Sequence, residues 1–248
     1  MQGKFEAIKA LAREAILDPQ EQMQAIGKKR ESLFIGIPKE SSLQENRVAL
    51  TPGSVNLLVN NGHQIIIETG AGKKVGFSDS DYSEAGAQIG YSAKEVFQAH
   101  TIMKVAPPSA HEIELMQPKQ VIFSALQMSV QPRELLQKMM EKRVTAIAWE
   151  HIKDNTGIFP VVRAMGEIAG NTSILIASEY MSVMNGGSGI MFGGISGVAP
   201  TQVVILGAGT VGEFATRAAL GLGADVKIFD NSVSKLRRLQ NDLGFYRY

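Results

Sequence analysis

Gly207-Ala208-Gly209-Thr210-Val211-Gly212 is the stretch that decides the fold, and its flanks matter as much as its glycines. Val203-Val204-Ile205-Leu206 before it is a short apolar, largely β-branched strand. A helical pattern follows to Leu222, then a second strand, Asp225-Val226-Lys227-Ile228-Phe229, ending on Asp230. A bare G-x-G-x-x-G is weak. Set between strand and helix, with an acid about 20 residues on, it is a dinucleotide-binding fingerprint. Gly207 makes the tight turn, Gly209 lets backbone amides approach a pyrophosphate, and Gly212 lets helix and strand pack closely; Thr210 and Val211 open the helix whose N-terminus receives the anion. Asp230 then accepts hydrogen bonds from the adenosine ribose, which favours NAD as cofactor. The alternative reading is a tight βα turn with no ligand. A doubly wound nucleotide domain takes about six strands, yet the motif stands close to Tyr248, so this sequence reads as the front part of a longer protein.

Working outward, 248 residues of 44% hydrophobic and 20% charged content describe an ordinary globular chain of one large or two ordinary domains. A net charge of +1 gives no electrostatic footprint for nucleic acid or an anionic membrane. The lack of cysteine excludes disulfides and thiolate chemistry and fits a cytoplasmic location. Met1-Gln2-Gly3-Lys4-Phe5-Glu6 has no apolar core of a secretory signal. No apolar run reaches the ~18 residues of a membrane span; Ser173 to Val183 comes nearest, is broken by Glu179, and reads as a buried helix.

Residues 1–32 read as an appended helical arm, with Phe5, Ile8, Leu11 and Ile16-Leu17 at near-helical spacing. From Leu33 the pattern alternates between strands (Leu33–Ile37, Gln64–Glu68, Ile102–Val105, Val121–Ser124 and Val144–Ala148) and helices starting near Pro52, Asp79, Ala93, Ser109 and Gln131. Such alternation implies βαβ units and a parallel sheet. A long helix from about Val161 to Val183 then joins two lobes, followed by a glycine-rich loop through Gly197. The fold expected is α/β with two Rossmann-like, doubly wound parallel-sheet lobes, the second incomplete. Residues 33–160 form the substrate lobe and residues 161–248 the connector helix and the start of the NAD-binding lobe.

Ile35-Gly36-Ile37-Pro38-Lys39-Glu40 followed by Glu45-Asn46-Arg47-Val48-Ala49-Leu50-Thr51-Pro52 resembles the opening of the alanine dehydrogenase and nicotinamide-nucleotide transhydrogenase α-subunit family. So do Gly62-His63, Glu68-Thr69-Gly70-Ala71-Gly72, Lys104-Val105 with Pro107, and Gly197-Val198-Ala199-Pro200 ahead of the glycine motif. The likeness is collinear from Leu33 onward. It implies hydride transfer on nicotinamide between two lobes, the first of them discontinuous and closed by C-terminal segments. It implies an amino or keto acid substrate, L-alanine against pyruvate plus ammonia, and a homo-oligomer, dimer or hexamer. A transhydrogenase-like subunit, or a dinucleotide-binding homologue without chemistry, are the alternatives.

By the same resemblance Arg47 holds the substrate carboxylate, a task suited to a planar guanidinium, although a surface ion pair is the competing assignment. Thr210, Asp230 and Lys235 match the family's nucleotide contacts. Two positions depart from the pattern. The family's Lys-Val-Lys-Glu-Pro run is here Lys104-Val105-Ala106-Pro107-Pro108, so the lysine that contacts the keto acid is Ala106. The family's acid/base histidine is Gln127, whose amide cannot shuttle protons at neutral pH. Lys104, at a strand end, is the one nearby cation able to take over if it turns into the cleft. His63, His100, His111 and His151 fall at other positions and read as structural or surface groups. No cluster of His, Asp or Glu has metal-ligand spacing.

Overall fold

The computed structural model describes residues 32–42 and 44–243. The arm expected over residues 1–32 lies, but for Ser32, outside the described residues. Two parallel sheets divide the strands. The larger contains β1 (Phe34–Ile37), β2 (Gln64–Glu68), β3 (Gln88–Gly90), β4 (Thr101–Met103), β5 (Val121–Ser124) and β6 (Thr145–Ala148). They lie in the order β3-β2-β1-β4-β5-β6, every neighbouring pair parallel. This is the order of a doubly wound dinucleotide-type sheet. The chain leaves β1 toward one edge, returns to the centre at β4, and proceeds to the other edge. The connections after β1 and β4 therefore diverge and open a crevice beyond the carboxyl ends of those two strands.

The sheet forms because its strands are apolar on both faces. Ile65 and Ile67 of β2 join Ile35, Ile37, Val55 and Tyr82 on one side. Ile66, between them, points the other way into a cluster with Phe97, Ile102, Ile113 and Ile122. Helix starts follow capping chemistry. Helix α1 (Pro52–Asn60) begins with the Thr51 hydroxyl accepting from the Ser54 amide. Helices α2 (Asp79–Glu84) and α4 (Ala110–Leu115) open on reciprocal boxes, Ser78 with Asp81 and Ser109 with Glu112. Helices α3 (Ala93–Val96) and α5 (Arg133–Glu141) complete the layers. Strand β3 is absent from the sequence reading: three residues, of which Gly90 alone is buried, are too short to show alternation.

Helix α6 (Pro160–Met181) leads through the glycine-rich loop to β7 (Gln202–Leu206), α7 (Thr210–Gly221), β8 (Asp225–Phe229) and α8 (Val233–Leu243). Strands β7 and β8 pair in parallel from Gln202 opposite Asp225 to Leu206 opposite Phe229. Helix α6 packs on α7 through small residues. Gly166 faces the Thr210 and Val211 side chains, and Gly170 faces the Val211 carbonyl oxygen. Ile174, Phe192, Ala215, Ala219 and Ala224 close the core beneath them. The second lobe is thus small, two strands with Val204, Leu206 and Phe229 exposed. Among the described residues, no helix is long and apolar enough to cross a membrane.

Candidate active site

Residues 207–212 form the strand–turn–helix junction that the sequence called for. Gly207 has φ 108°, a left-handed conformation open to glycine, and no Cβ could be accommodated on Gly212 beside the Gly207 carbonyl. Helix α7 has Gly209 as its N-cap and therefore no side-chain cap, leaving the first-turn amides free for an anionic ligand. A groove of about 800 Å³ runs past Gly207 and Gly209 to Gly212, along β7, and against Val162, Arg163 and Gly166 of α6. Asp230 sits at the end of β8. Its Oδ2 accepts from the Ala208 amide and its Oδ1 from the Ser232 amide, each at 2.7 Å. These two bonds, the Ala208 one foremost, hold its carboxyl below the usual carboxylate range. Lys235 Nζ lies 3.9 Å from the same carboxylate. An uncapped helix start, a cradle a Cβ would fill and an ionised acid at the neighbouring strand end together fit a dinucleotide.

The second cleft, about 450 Å³, lies at the switch point of the six-stranded sheet. Four of the six strand ends contribute: Arg47 to Ala49 after β1, Val105 after β4, Ala125 after β5, and Trp149 and Glu150 after β6. Its far wall is the first turn and a half of α6, Val161, Val162 and Met165. Val162 lines both clefts, so α6 is their shared wall. Arg47 reaches this space. Its Nε and Nη2 donate to Glu45 at 2.8 and 2.7 Å, and Nη1 donates to the Met165 sulfur at 3.0 Å. The guanidinium beside Glu45 holds that carboxyl below its ordinary range.

Lys104 does not turn into the cleft. It is fully buried, 0% exposed, with Nζ 3.0 Å from Glu112 Oε1 and 3.1 Å from Glu40 Oε2. The reason is local. Glu112 closes the capping box of α4, accepting from the Ser109 amide at 2.6 Å, and Glu40 accepts from the Val105 amide at 2.6 Å. Two carboxylates fixed by backbone amides flank the strand end, and the lysine folds back between them. Gln127 is exposed, with φ 46°. Its amide and that of Leu126 donate to Glu150 Oε1 at 2.7 and 2.9 Å. Although burial raises the Glu150 carboxyl, the Gln127 amide, its own amide, the Leu126 amide and the nearby His151 together outweigh it and hold it below the ordinary range. Arg47 and Glu150 thus share the cleft, while Lys104 lies behind it.

Glu40, Glu45, Glu150 and Met165 escaped the sequence reading. Glu45 carried a usable signal, an acid two residues from an arginine in a loop. The pairing of Glu40 with Lys104, on loops far apart in the chain, carried none.

Residues 36–169 match the family described as alanine dehydrogenase/PNT, N-terminal domain, and residues 173–246 match its C-terminal domain. The alanine dehydrogenase of Bacillus subtilis (strain 168) is 41% identical over 212 residues, 86% of this chain and 56% of that protein. The alanine dehydrogenase of Methanococcus maripaludis is 40% identical over 213 residues, 86% of this chain and 57% of that protein. The chain therefore spans little more than half the length of the curated relatives it matches. A solved L-alanine dehydrogenase superposes with a TM-score of 0.80 at 42% identity, covering 86% of this chain and 58% of that one. A transhydrogenase from Sinorhizobium meliloti superposes with a TM-score of 0.73 at 27% identity, covering 84% and 62%.

Proposed function

Because this chain belongs to the alanine dehydrogenase/PNT family, we propose that the whole protein is an NAD-dependent amino-acid dehydrogenase acting on L-alanine. The balanced reaction is L-alanine plus NAD⁺ and water giving pyruvate, ammonium, NADH and a proton. NAD, when bound, supplies the hydride acceptor at nicotinamide C4. The observation that carries this reading is the shared wall. One turn of α6 lines both the groove at Gly207–Gly212 and the crevice where Arg47 offers its guanidinium.

In this reading the amides at the start of α7 hold the pyrophosphate, and Gly207, Gly209, Thr210, Val211 and Gly212 form the cradle. Asp230 accepts from the ribose hydroxyls and repels a 2′-phosphate, giving NAD over NADP; Lys235 completes that end. Arg47 orients the substrate carboxylate, while Val105, Ala125, Trp149 and Val161 exclude water from the reacting carbon. Lys104 positions Glu40 and Glu112 and does not touch substrate. Gln127 stands where the family has its acid/base group and can orient a water or the amino group through hydrogen bonds, without moving a proton itself. The residue divisions 33–160 and 161–248 are taken as the substrate and nucleotide lobes. A cytoplasmic homo-oligomer fits the lack of cysteine and the exposed apolar side chains of α6, Ile168, Leu175 and Ile176.

Ala106 and Gln127 favour a second reading, a transhydrogenase-like or purely nucleotide-binding protein, because both substitutions remove groups that alanine chemistry uses. Incubating the full-length protein with NAD and L-alanine distinguishes them. Equal amounts of NADH, pyruvate and ammonium are expected. NAD binding without any of the three would overturn the dehydrogenase assignment.

A further inference from the structure

Arg47 is held by one edge and open at the other. The edge formed by Nε and Nη2 makes a two-point fork with Glu45, at 2.8 and 2.7 Å. The Arg47 backbone amide donates to the same carboxylate at 2.9 Å. Among the described residues, Nη1 meets only the Met165 thioether, a weak acceptor. The two partners differ in exposure: the Glu45 side chain is 13% exposed and that of Arg47 55%. The Glu45 backbone is itself tied down, its amide donating to the Ser42 carbonyl at 3.2 Å and its carbonyl accepting from Lys74 Nζ at 3.1 Å.

A carboxylate beside a substrate-binding arginine has two possible roles. It can occupy the guanidinium and be displaced by the ligand, or grip one edge and aim the other. Displacement would require the more buried, backbone-tethered partner to leave while the more exposed one stayed. Guanidinium has five donors and two bidentate edges, so a second carboxylate can bind without competing for the first. We propose that Glu45 is a positioning residue: it fixes the inner edge of Arg47 so that the outer edge, which meets the weak acceptor Met165, receives the carboxylate of an amino or keto acid. This rests on the assignment of Arg47 to the substrate carboxylate.

Reductive amination of pyruvate by the full-length protein, with NADH and ammonium, tests it. Glu45→Gln keeps the side-chain shape and removes the charge. It is expected to raise KM for pyruvate about tenfold, the scale of a weakened charge-assisted pair. It should leave kcat within about twofold and KM for NADH unchanged, since the loss falls on binding alone. Adding Glu45→Gln to Arg47→Ala should change KM for pyruvate no further, because Glu45 acts only through Arg47. An unchanged or lowered KM for pyruvate in Glu45→Gln would overturn the proposal, a lowered one showing that Glu45 competes with substrate. If Arg47→Ala left KM for pyruvate unaltered, the carboxylate role of Arg47 would fall and this inference with it. If Arg47→Ala raised KM while Glu45→Gln did not, the inference alone would fail. Unaltered KM for NADH in each variant shows that it is folded.

Discussion

Lys104 shows how much a single residue's surroundings decide. It is pinned between Glu40 and Glu112, and its own carbonyl accepts from the Trp149 indole at 2.8 Å, so one position braces three of the loops around the crevice. Removing the lysine would strand two buried carboxylates. Lys104→Ala should therefore destabilise the protein by about 3–5 kcal/mol, read as a lowered denaturant midpoint. A change under about 1 kcal/mol, as for a solvated pair, would show that the triad is not buried in solution. Asp79 makes a comparable brace, accepting from the Thr69 hydroxyl at 2.6 Å and the Gly70 amide at 2.8 Å. These two bonds, the Thr69 hydroxyl first, hold its carboxyl below the ordinary range. Asp79 is thus more readily ionised folded than unfolded. Its stabilising contribution is complete above the ordinary carboxylate value, about pH 4, and is lost as pH falls through the lowered folded value. Asp79→Asn should accordingly lose less stability than the unaltered protein on acidification below that point. An identical acid profile would remove Asp79 from the brace.

At the scale of elements, helix α6 is the part on which both clefts depend. Its face toward α7 carries Gly166 and Gly170, and a Cβ on Gly170 would meet the Val211 oxygen and approach Phe214 Cβ at 2.8 Å. Gly170→Ala should push the helices apart, destabilise by about 1–3 kcal/mol, and weaken NAD binding because Val211 lies in the first turn of α7, proposed to hold the nucleotide. Unaltered NAD affinity with lowered stability would show that the α6–α7 contact does not shape the nucleotide groove. Most elements were legible because their signals are local: alternation or continuous apolar runs in β1, β2 and β5, Thr51-Pro52 before α1, and glycines between β7 and α7. What was illegible is non-local. β3 exists because β2 offers it an edge, and three residues cannot announce that. The burial of Lys104 depends on Glu40, 64 positions earlier in the chain. The doubly wound order, and with it a crevice after β1, was legible in the alternation of strands and helices, whereas the side chains that line its far wall were not.

Across the whole molecule, the switch-point crevice and the glycine-loop groove share helix α6 as a wall, and the proposed function joins them into one site, with Ala106 and Gln127 in the segments that follow β4 and β5 at its crevice end. The Ala106 amide lies 3.4 Å from Glu40 Oε2 and the Gln127 amide 2.7 Å from Glu150 Oε1, so both backbones are anchored. Ala106→Lys with Gln127→His should raise L-alanine oxidation by the full-length protein at least about tenfold, within the range of one acid/base group; a fall would show that the site has been rebuilt around other groups. The most direct measurement uses L-alanine carrying deuterium at Cα, with NAD and the full-length protein. Recovery of the deuterium at C4 of the NADH formed is the expected result. NADH without the label, or bound NAD with no NADH formed, would contradict hydride transfer across the two clefts.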